Sequence, residues 1–174
     1  MSTRNGQIRS ELVTLLPRLR RFALALSHNR HDADDLVQTA IVRALAQEPA
    51  AQLAERLDSW MYKVLRNLWI DERRRRTVRG SVEPVESLID LAGEDGRTNT
   101  EVRSELALAQ KVFDRMSPEL RTSAVLVIVN ELSYREAADV LEVPIGTVMS
   151  RVSRARRVLV ESLADTPNGD AGTP

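Results

Sequence analysis

Apolar residues recur at steps of three and four through most of the chain, and polar and apolar residues seldom alternate for long, so the pattern predicts an all-α protein. In the first stretch Leu12, Leu15, Leu16, Leu19, Phe22, Ala23 and Leu26 keep that spacing, and Pro17 either kinks the helix or marks its first turn. A second helix is predicted to open at Asp32, whose side chain can cap orphan amides while Asp34 and Asp35 complement the positive helix end. It buries Leu36, Val37, Ala40, Ile41, Ala44 and Leu45. A third helix runs over 58–76. Stepping about 100° per residue from Met61 puts Met61, Val64, Leu65 and Leu68 on one stripe, and Lys63, Arg66, Asn67, Ile70 and Arg74 on the other side.

The segment LSYREAADVLEVPIGTVMSRVSRARRVL, 132–159, carries the most specific local pattern. Ser133 and Glu136 have the spacing of a capping box, Ala137, Ala138 and Leu141 are placed to pack, and Glu142, Val143 and Pro144 break the helix. In the longer helix that follows, Val148, Val152, Ala155 and Leu159 form an apolar stripe. Thr147, Ser150, Arg154 and Arg157 project the other way, with Arg151 on the flank. A short helix, a tight turn and a helix with outward hydroxyls and arginines suit a major groove, where arginine reads guanine bidentately. An ordinary helical hairpin with a wet face is the plainer alternative. Just upstream, the run AVLVIV, 124–129, is β-branched enough to favour a strand, but its place directly before this motif favours a buried supporting helix, which is the reading adopted.

Composition narrows the function classes. Hydrophobic residues make up 43% and charged residues 29% of 174 residues, which suits globular domains and excludes a chain disordered throughout. The absence of cysteine removes disulfides, thiolate metal sites and cysteine nucleophiles, and fits a reducing cytoplasm. His28 and His31 are the only histidines. His31 with Asp34 and Asp35 has helical metal-ligand spacing, but capping and the helix dipole explain the carboxylates, so neither metal nor cofactor is expected. No credible catalytic constellation stands out, and the reading is not an enzyme. The N-terminus lacks a signal-peptide apolar region, and 124–129 is too short to span a bilayer, so no membrane insertion is expected.

Net charge is zero, but it is segregated. Residues 56–79 hold eight basic and three acidic side chains, including Arg73 to Arg76 in a row, which could hold phosphate. Residues 81–105 hold seven acidic and two basic ones, with Pro84, Gly93 and Gly96, and read as a solvated linker. Trp60, Tyr62 and Trp69 all fall in the third helix. They suit either stacking of displaced bases or packing against the core. The domains expected are 1–79 and 104–163, with an acidic linker over 80–103 and a disordered tail over 164–174.

Three stretches in order, LPRLRRFALALSHNRHDADDLVQTAIVRAL, SWMYKVLRNLWIDERRR and GTVMSRVSRARRVL, resemble the extracytoplasmic-function (ECF) RNA polymerase sigma factors of the sigma-70 family. The resemblance implies two helical domains and a transcription initiation factor that binds core RNA polymerase and promoter DNA, duplex and locally melted, under the restraint of an anti-sigma factor. It assigns Asp34, Asp35 and Gln38 to polymerase docking. Trp60, Lys63, Arg66, Asn67, Ile70, Arg73 and Arg74 are assigned to the minus-ten element, and Thr147, Ser150, Arg151, Arg154 and Arg157 to the minus-thirty-five element. The linker would thread toward the polymerase channels. The rival function is an autonomous helix-turn-helix regulator that binds duplex DNA without polymerase.

Overall fold

The structure, a computed structural model, describes residues 2–46, 56–80, 112–113 and 115–164. The expected linker beyond Gly80 and the expected tail beyond Ala164 lie outside these residues. Among the described residues there is no strand, and six α-helices are bounded: α1 (Ser2–Ser27), α2 (Arg30–Ala46), α3 (Leu57–Arg79), α4 (Pro118–Ala124), α5 (Tyr134–Leu141) and α6 (Ile145–Ala164).

Pro17 sits inside α1, so the helix passes through it. α1 stops where His28 takes a left-handed φ of 57°, its N–H bonded to the Leu24 carbonyl at 2.9 Å. The next helix is capped by Asn29, not by Asp32 as the sequence pattern suggests. The Asn29 Oδ1 accepts from the Asp32 N–H at 3.0 Å, and α2 begins at Arg30. Asp32 therefore lies within the first turn, where its carboxylate is available to another helix. α3 is longer than expected and ends at Gly80, whose φ of 69° a side chain would strain, with the Gly80 N–H returning to the Arg76 and Thr77 carbonyls.

Residues 124–129 are helical, as read from their position, but the β-branched run leaves a mark. Val125–Val129 forms a π-helical turn in which the Asn130 N–H reaches back five residues to the Val125 carbonyl at 2.8 Å. The Ser133–Glu136 capping box forms as expected. Glu136 N–H donates to the Ser133 Oγ at 3.2 Å, and Ser133 N–H donates to the Glu136 carboxylate at 2.8 Å. α5 closes on Glu142 in the left-handed region, and the Pro144 carbonyl accepts from Thr147 N–H at 2.9 Å as α6 begins.

Helices α1, α2 and α3 pack as one unit around Leu19, Phe22, Ala40, Met61 and Leu65, and α5 and α6 pack through Val140, Val148 and Val152. The two units are in contact. α1 meets α4 and the π turn, α3 meets α5, and one hydrophobic cluster runs from Phe22 and Tyr62 to Leu126 and Val140. A smaller cluster of Val112, Met116, Ala124 and Ala155 ties α4 to α6. No helix among the described residues is long and apolar enough to cross a membrane.

Tyr62 is fully buried edge-on to Phe22, ring centroids 5.3 Å apart, and its hydroxyl has no hydrogen-bond partner among the described residues. Burial pushes its pKa from 10.0 up to about 12, against the opposing charge of Arg18. Between those values the unfolded phenol loses its proton first, so the stability it contributes is present below its unfolded pKa and lost as pH rises through that window. Tyr62→Phe should match wild type or gain up to about 1 kcal/mol near neutral pH, since it removes an unpaired buried hydroxyl. In urea unfolding repeated near pH 11, wild type should lose about 1 kcal/mol more than Tyr62→Phe does.

Candidate nucleic-acid interface

The outward face of α3 is present but not uniformly open. Lys63, Asn67, Arg73 and Arg74 are exposed, while Arg66 and Ile70 are half-buried. Arg66 keeps 18% of its side-chain surface, and its Nη1 lies 3.0 Å from the Glu142 carboxylate at the turn between α5 and α6. Arg56, just before α3, is held by Asp58 and also pairs with Glu136 of α5. Two cations of the α3 segment thus face carboxylates at the two ends of α5.

The three aromatics divide. Tyr62 belongs wholly to the core, whereas Trp60 and Trp69 are half-buried and pack against it, leaving part of each ring in solvent. Trp69 also lies under Arg76, whose guanidinium carbon is 5.8 Å from the ring centroid.

The row of four arginines is not one phosphate-binding group. Arg76 is turned inward, with a two-pronged bond to the Asp32 carboxylate at 2.8 and 2.9 Å and a further bond from Nε to Glu72 at 3.1 Å. Hydrogen bonds to Asp32 and then Glu72 raise its already high pKa further. Arg75 lies 3.6 Å from Glu72, and Arg73 and Arg74 face solvent. Helical periodicity held this signal: Trp69, Glu72 and Arg76 follow one another at steps of three and four on the side next to the Leu65 stripe.

On α6 the apolar stripe is where the spacing put it, with Val148, Val152 and Ala155 buried and Leu159 half-buried. Ser150, Arg154 and Arg157 are exposed, and Thr147 and Arg151 are half-buried beside them. The Ser150 hydroxyl donates to the Thr147 carbonyl at 2.9 Å. Ile145 and Met149, 46% and 51% exposed, widen this surface with apolar area that the sequence reading did not single out. The first turn of α4 adds Glu119, held below the usual carboxylate range by its own backbone N–H, the Ser117 hydroxyl and the positive charges of Arg151 and Arg73.

The candidate docking residues share the outer side of α2. Asp34 is half-buried and pairs with Arg20 at 3.5 Å, Asp35 is exposed beside His31 at 3.3 Å, and Gln38 is exposed. Among the described residues no three His, Cys, Asp or Glu side chains are grouped to hold a metal ion.

Sequence reasoning missed the contacts between the two units. Arg18 donates to the Asn130 carbonyl, Arg21 Nε to the Asn130 Oδ1 at 3.3 Å, and Asn130 Nδ2 to the Arg18 carbonyl at 3.1 Å. Arg121, 5% exposed, donates from Nε to the Ala25 carbonyl at 3.0 Å. No local motif announces such pairs.

Comparison with known proteins finds two family matches. Residues 12–79 match the family Sigma-70 region 2, and residues 106–159 match Sigma-70, region 4. The chain is 34% identical over 154 residues to the ECF RNA polymerase sigma factor EcfG of Rhodopseudomonas palustris strain TIE-1, covering 87% of this chain and 82% of that protein. It is 28% identical over 152 residues to the ECF RNA polymerase sigma factor SigW of Bacillus subtilis strain 168, covering 79% and 78%. A similar solved structure is the sigma factor RpoE from Bartonella quintana, co-crystallised with the anti-sigma factor NepR. Its TM-score is 0.74 at 31% identity, covering 92% of this chain and 98% of that one.

The division within the arginine row is open to measurement by fluorescence anisotropy with single-stranded DNA across a salt series. Arg73→Ala and Arg74→Ala should each weaken binding and flatten the logarithmic salt slope by about 0.7. Arg76→Ala should leave the slope unchanged and instead cost about 1–2 kcal/mol in urea unfolding, since its partners are carboxylates of its own chain.

Proposed function

The chain belongs to the ECF RNA polymerase sigma factors of the sigma-70 family, and from that membership we propose a division of its surfaces among polymerase, melted promoter and duplex promoter. It is a transcription initiation factor that binds core RNA polymerase and directs it to promoters. The observation that carries the division is the pair of outward polar faces on separate helices, Lys63, Asn67 and Arg74 on α3 and Thr147, Ser150, Arg154 and Arg157 on α6.

In this reading residues 1–79 hold polymerase through Asp34, Asp35 and Gln38 and take the minus-ten element on α3. There Asn67 bonds the edge of an exposed base, Trp60 and Ile70 offer partly exposed flat and aliphatic surface, and Lys63, Arg66, Arg73 and Arg74 hold phosphates. Residues 104–163 place α6 in the major groove of the minus-thirty-five element. Arg154 can read guanine, while Thr147, Ser150, Arg151 and Arg157 serve base edges or phosphates. The chain supplies recognition and the capture of opened DNA, and the chemistry of RNA synthesis is the polymerase's. It therefore works in the cytoplasm, where polymerase and chromosome are. An anti-sigma factor is the restraint this reading calls for, as RpoE from Bartonella quintana was crystallised with one.

Reconstituted holoenzyme, assayed on promoters randomised separately in each element, tests the division. Arg154→Ala should relax upstream selection by about 1–3 kcal/mol, and Asn67→Ala should impair only the downstream element and its opening. Reversing charge at Asp34 and Asp35 together should weaken core polymerase binding while circular dichroism stays helical, apart from about 0.3–1 kcal/mol of helix-end support per carboxylate. Tight, selective binding to duplex DNA without polymerase would instead mark an autonomous regulator.

A further inference from the structure

The first turns of α6 carry apolar surface that the fold does not use. Ile145 and Met149, one helical turn apart, are 46% and 51% exposed and stand outside both hydrophobic clusters. Stepping about 100° per residue puts Thr147, Arg151 and Arg154 to one side of Ser150 and Arg157, and puts Ile145 and Met149 to the other. The outward face of α6 is therefore two-sided, polar on one flank and apolar on the other.

Gly146 falls between Met149 and Ser150 on that face. Its φ is not positive, and a Cβ there would meet no atom within 4 Å. Neither the backbone conformation nor the packing of this chain therefore requires a glycine at 146. A bare backbone on the outward side of a helix instead lets another molecule come close. Four arginines against one acidic residue along α6 favour a polyanion as that molecule, since an apolar protein surface would strand the cations. Duplex DNA presents one apolar group among the hydrogen-bonding edges of its major groove, the thymine 5-methyl. Its mixture of polar and apolar groups matches the two flanks of α6.

We propose that Met149, supported by Ile145, reads thymine 5-methyl groups in the minus-thirty-five element, and that Gly146 lets the start of α6 seat deeply enough for that contact. The proposal rests on the assignment of α6 to duplex promoter. It adds three residues to that site and gives them one target, a T·A pair recognised by its methyl group rather than by hydrogen bonds. An unbranched, polarisable methionine side chain fits this target, because it can follow a methyl group through its rotatable bonds and brings no strong hydrogen-bonding group to be left unpaired.

The test uses reconstituted holoenzyme and an upstream element that wild type selects from a randomised pool. Each thymine of that element, on either strand, is replaced in turn by deoxyuridine, which removes the methyl group and leaves every hydrogen-bonding group in place. Wild type should lose about fourfold in promoter occupancy at one or two positions, the worth of one buried methyl group. At those positions Met149→Ala should bind thymine and deoxyuridine equally, with helix content by circular dichroism unchanged because alanine favours a helix. Gly146→Ala should keep or raise the urea midpoint, as nothing in the chain opposes the added methyl group, yet lose occupancy on every upstream sequence. The proposal is overturned if deoxyuridine changes nothing at any position, if the selected element contains no A·T pair, or if Met149→Ala keeps the full response to deoxyuridine. Wild-type occupancy by Gly146→Ala overturns the close approach. Met149→Ala that weakens assembly with core polymerase whatever the promoter gives the patch to a protein partner and overturns the methyl contact. Arg154→Ala separates the failures: relaxed upstream selection in that variant without any deoxyuridine response refutes only the methyl contact, whereas unaltered upstream selection in Arg154→Ala, Met149→Ala and Gly146→Ala alike refutes the placement of α6.

Discussion

Burial of Asn130 is the constraint on which the arrangement of the two units depends. A fully buried asparagine must have its polar groups met, and here each has a partner. Its N–H goes to Val125, its carbonyl and Oδ1 take Arg18 and Arg21, and its Nδ2 reaches the Arg18 carbonyl. Leaving one such group unpaired costs about 1–3 kcal/mol, so sliding α1 along the π turn is opposed at several atoms at once. The π turn is part of this device, because its i to i−5 bond sets where Asn130 falls at the end of the run.

Around that point the contact mixes two kinds of attraction with different consequences. The apolar portion, from Phe22 and Tyr62 to Leu126 and Val140, favours closure without regard to direction. The polar portion, Arg121 on Ala25, Arg56 on Glu136 and Arg66 on Glu142, gives register and contributes less net stability, because water can replace those bonds. A seam of this composition takes one of its cations, Arg66, from the surface that DNA is proposed to use.

The Asp32–Arg76 bond shows the same economy within the first unit. It links the first turn of α2 to the last turns of α3, so the helix bearing Asp34, Asp35 and Gln38 and the helix bearing Asn67 keep a fixed relation. One arginine of a row that reads as phosphate-binding is thereby assigned to structure, and it also covers Trp69.

Much of this was legible in the sequence, and the residues show why. The stripes of α3 and α6, the Ser133–Glu136 capping box and the break at 142–144 are local: each depends on side chains within about one or two turns, which helical periodicity and capping chemistry report directly. The outward placement of Asn67, Ser150 and Arg154 followed from the same periodicity. Where two local rules competed, at the start of α2, Asn29 took the cap and freed Asp32 for a partner 44 residues away. Only the tertiary structure decided such pairings, Arg76 with Asp32, Arg66 with Glu142 and Arg18 with an asparagine 112 residues on. A hydrophobic pattern states which side of a helix leaves water. It carries no information on which polar group of a distant helix will stand opposite, because that is fixed by how whole helices pack.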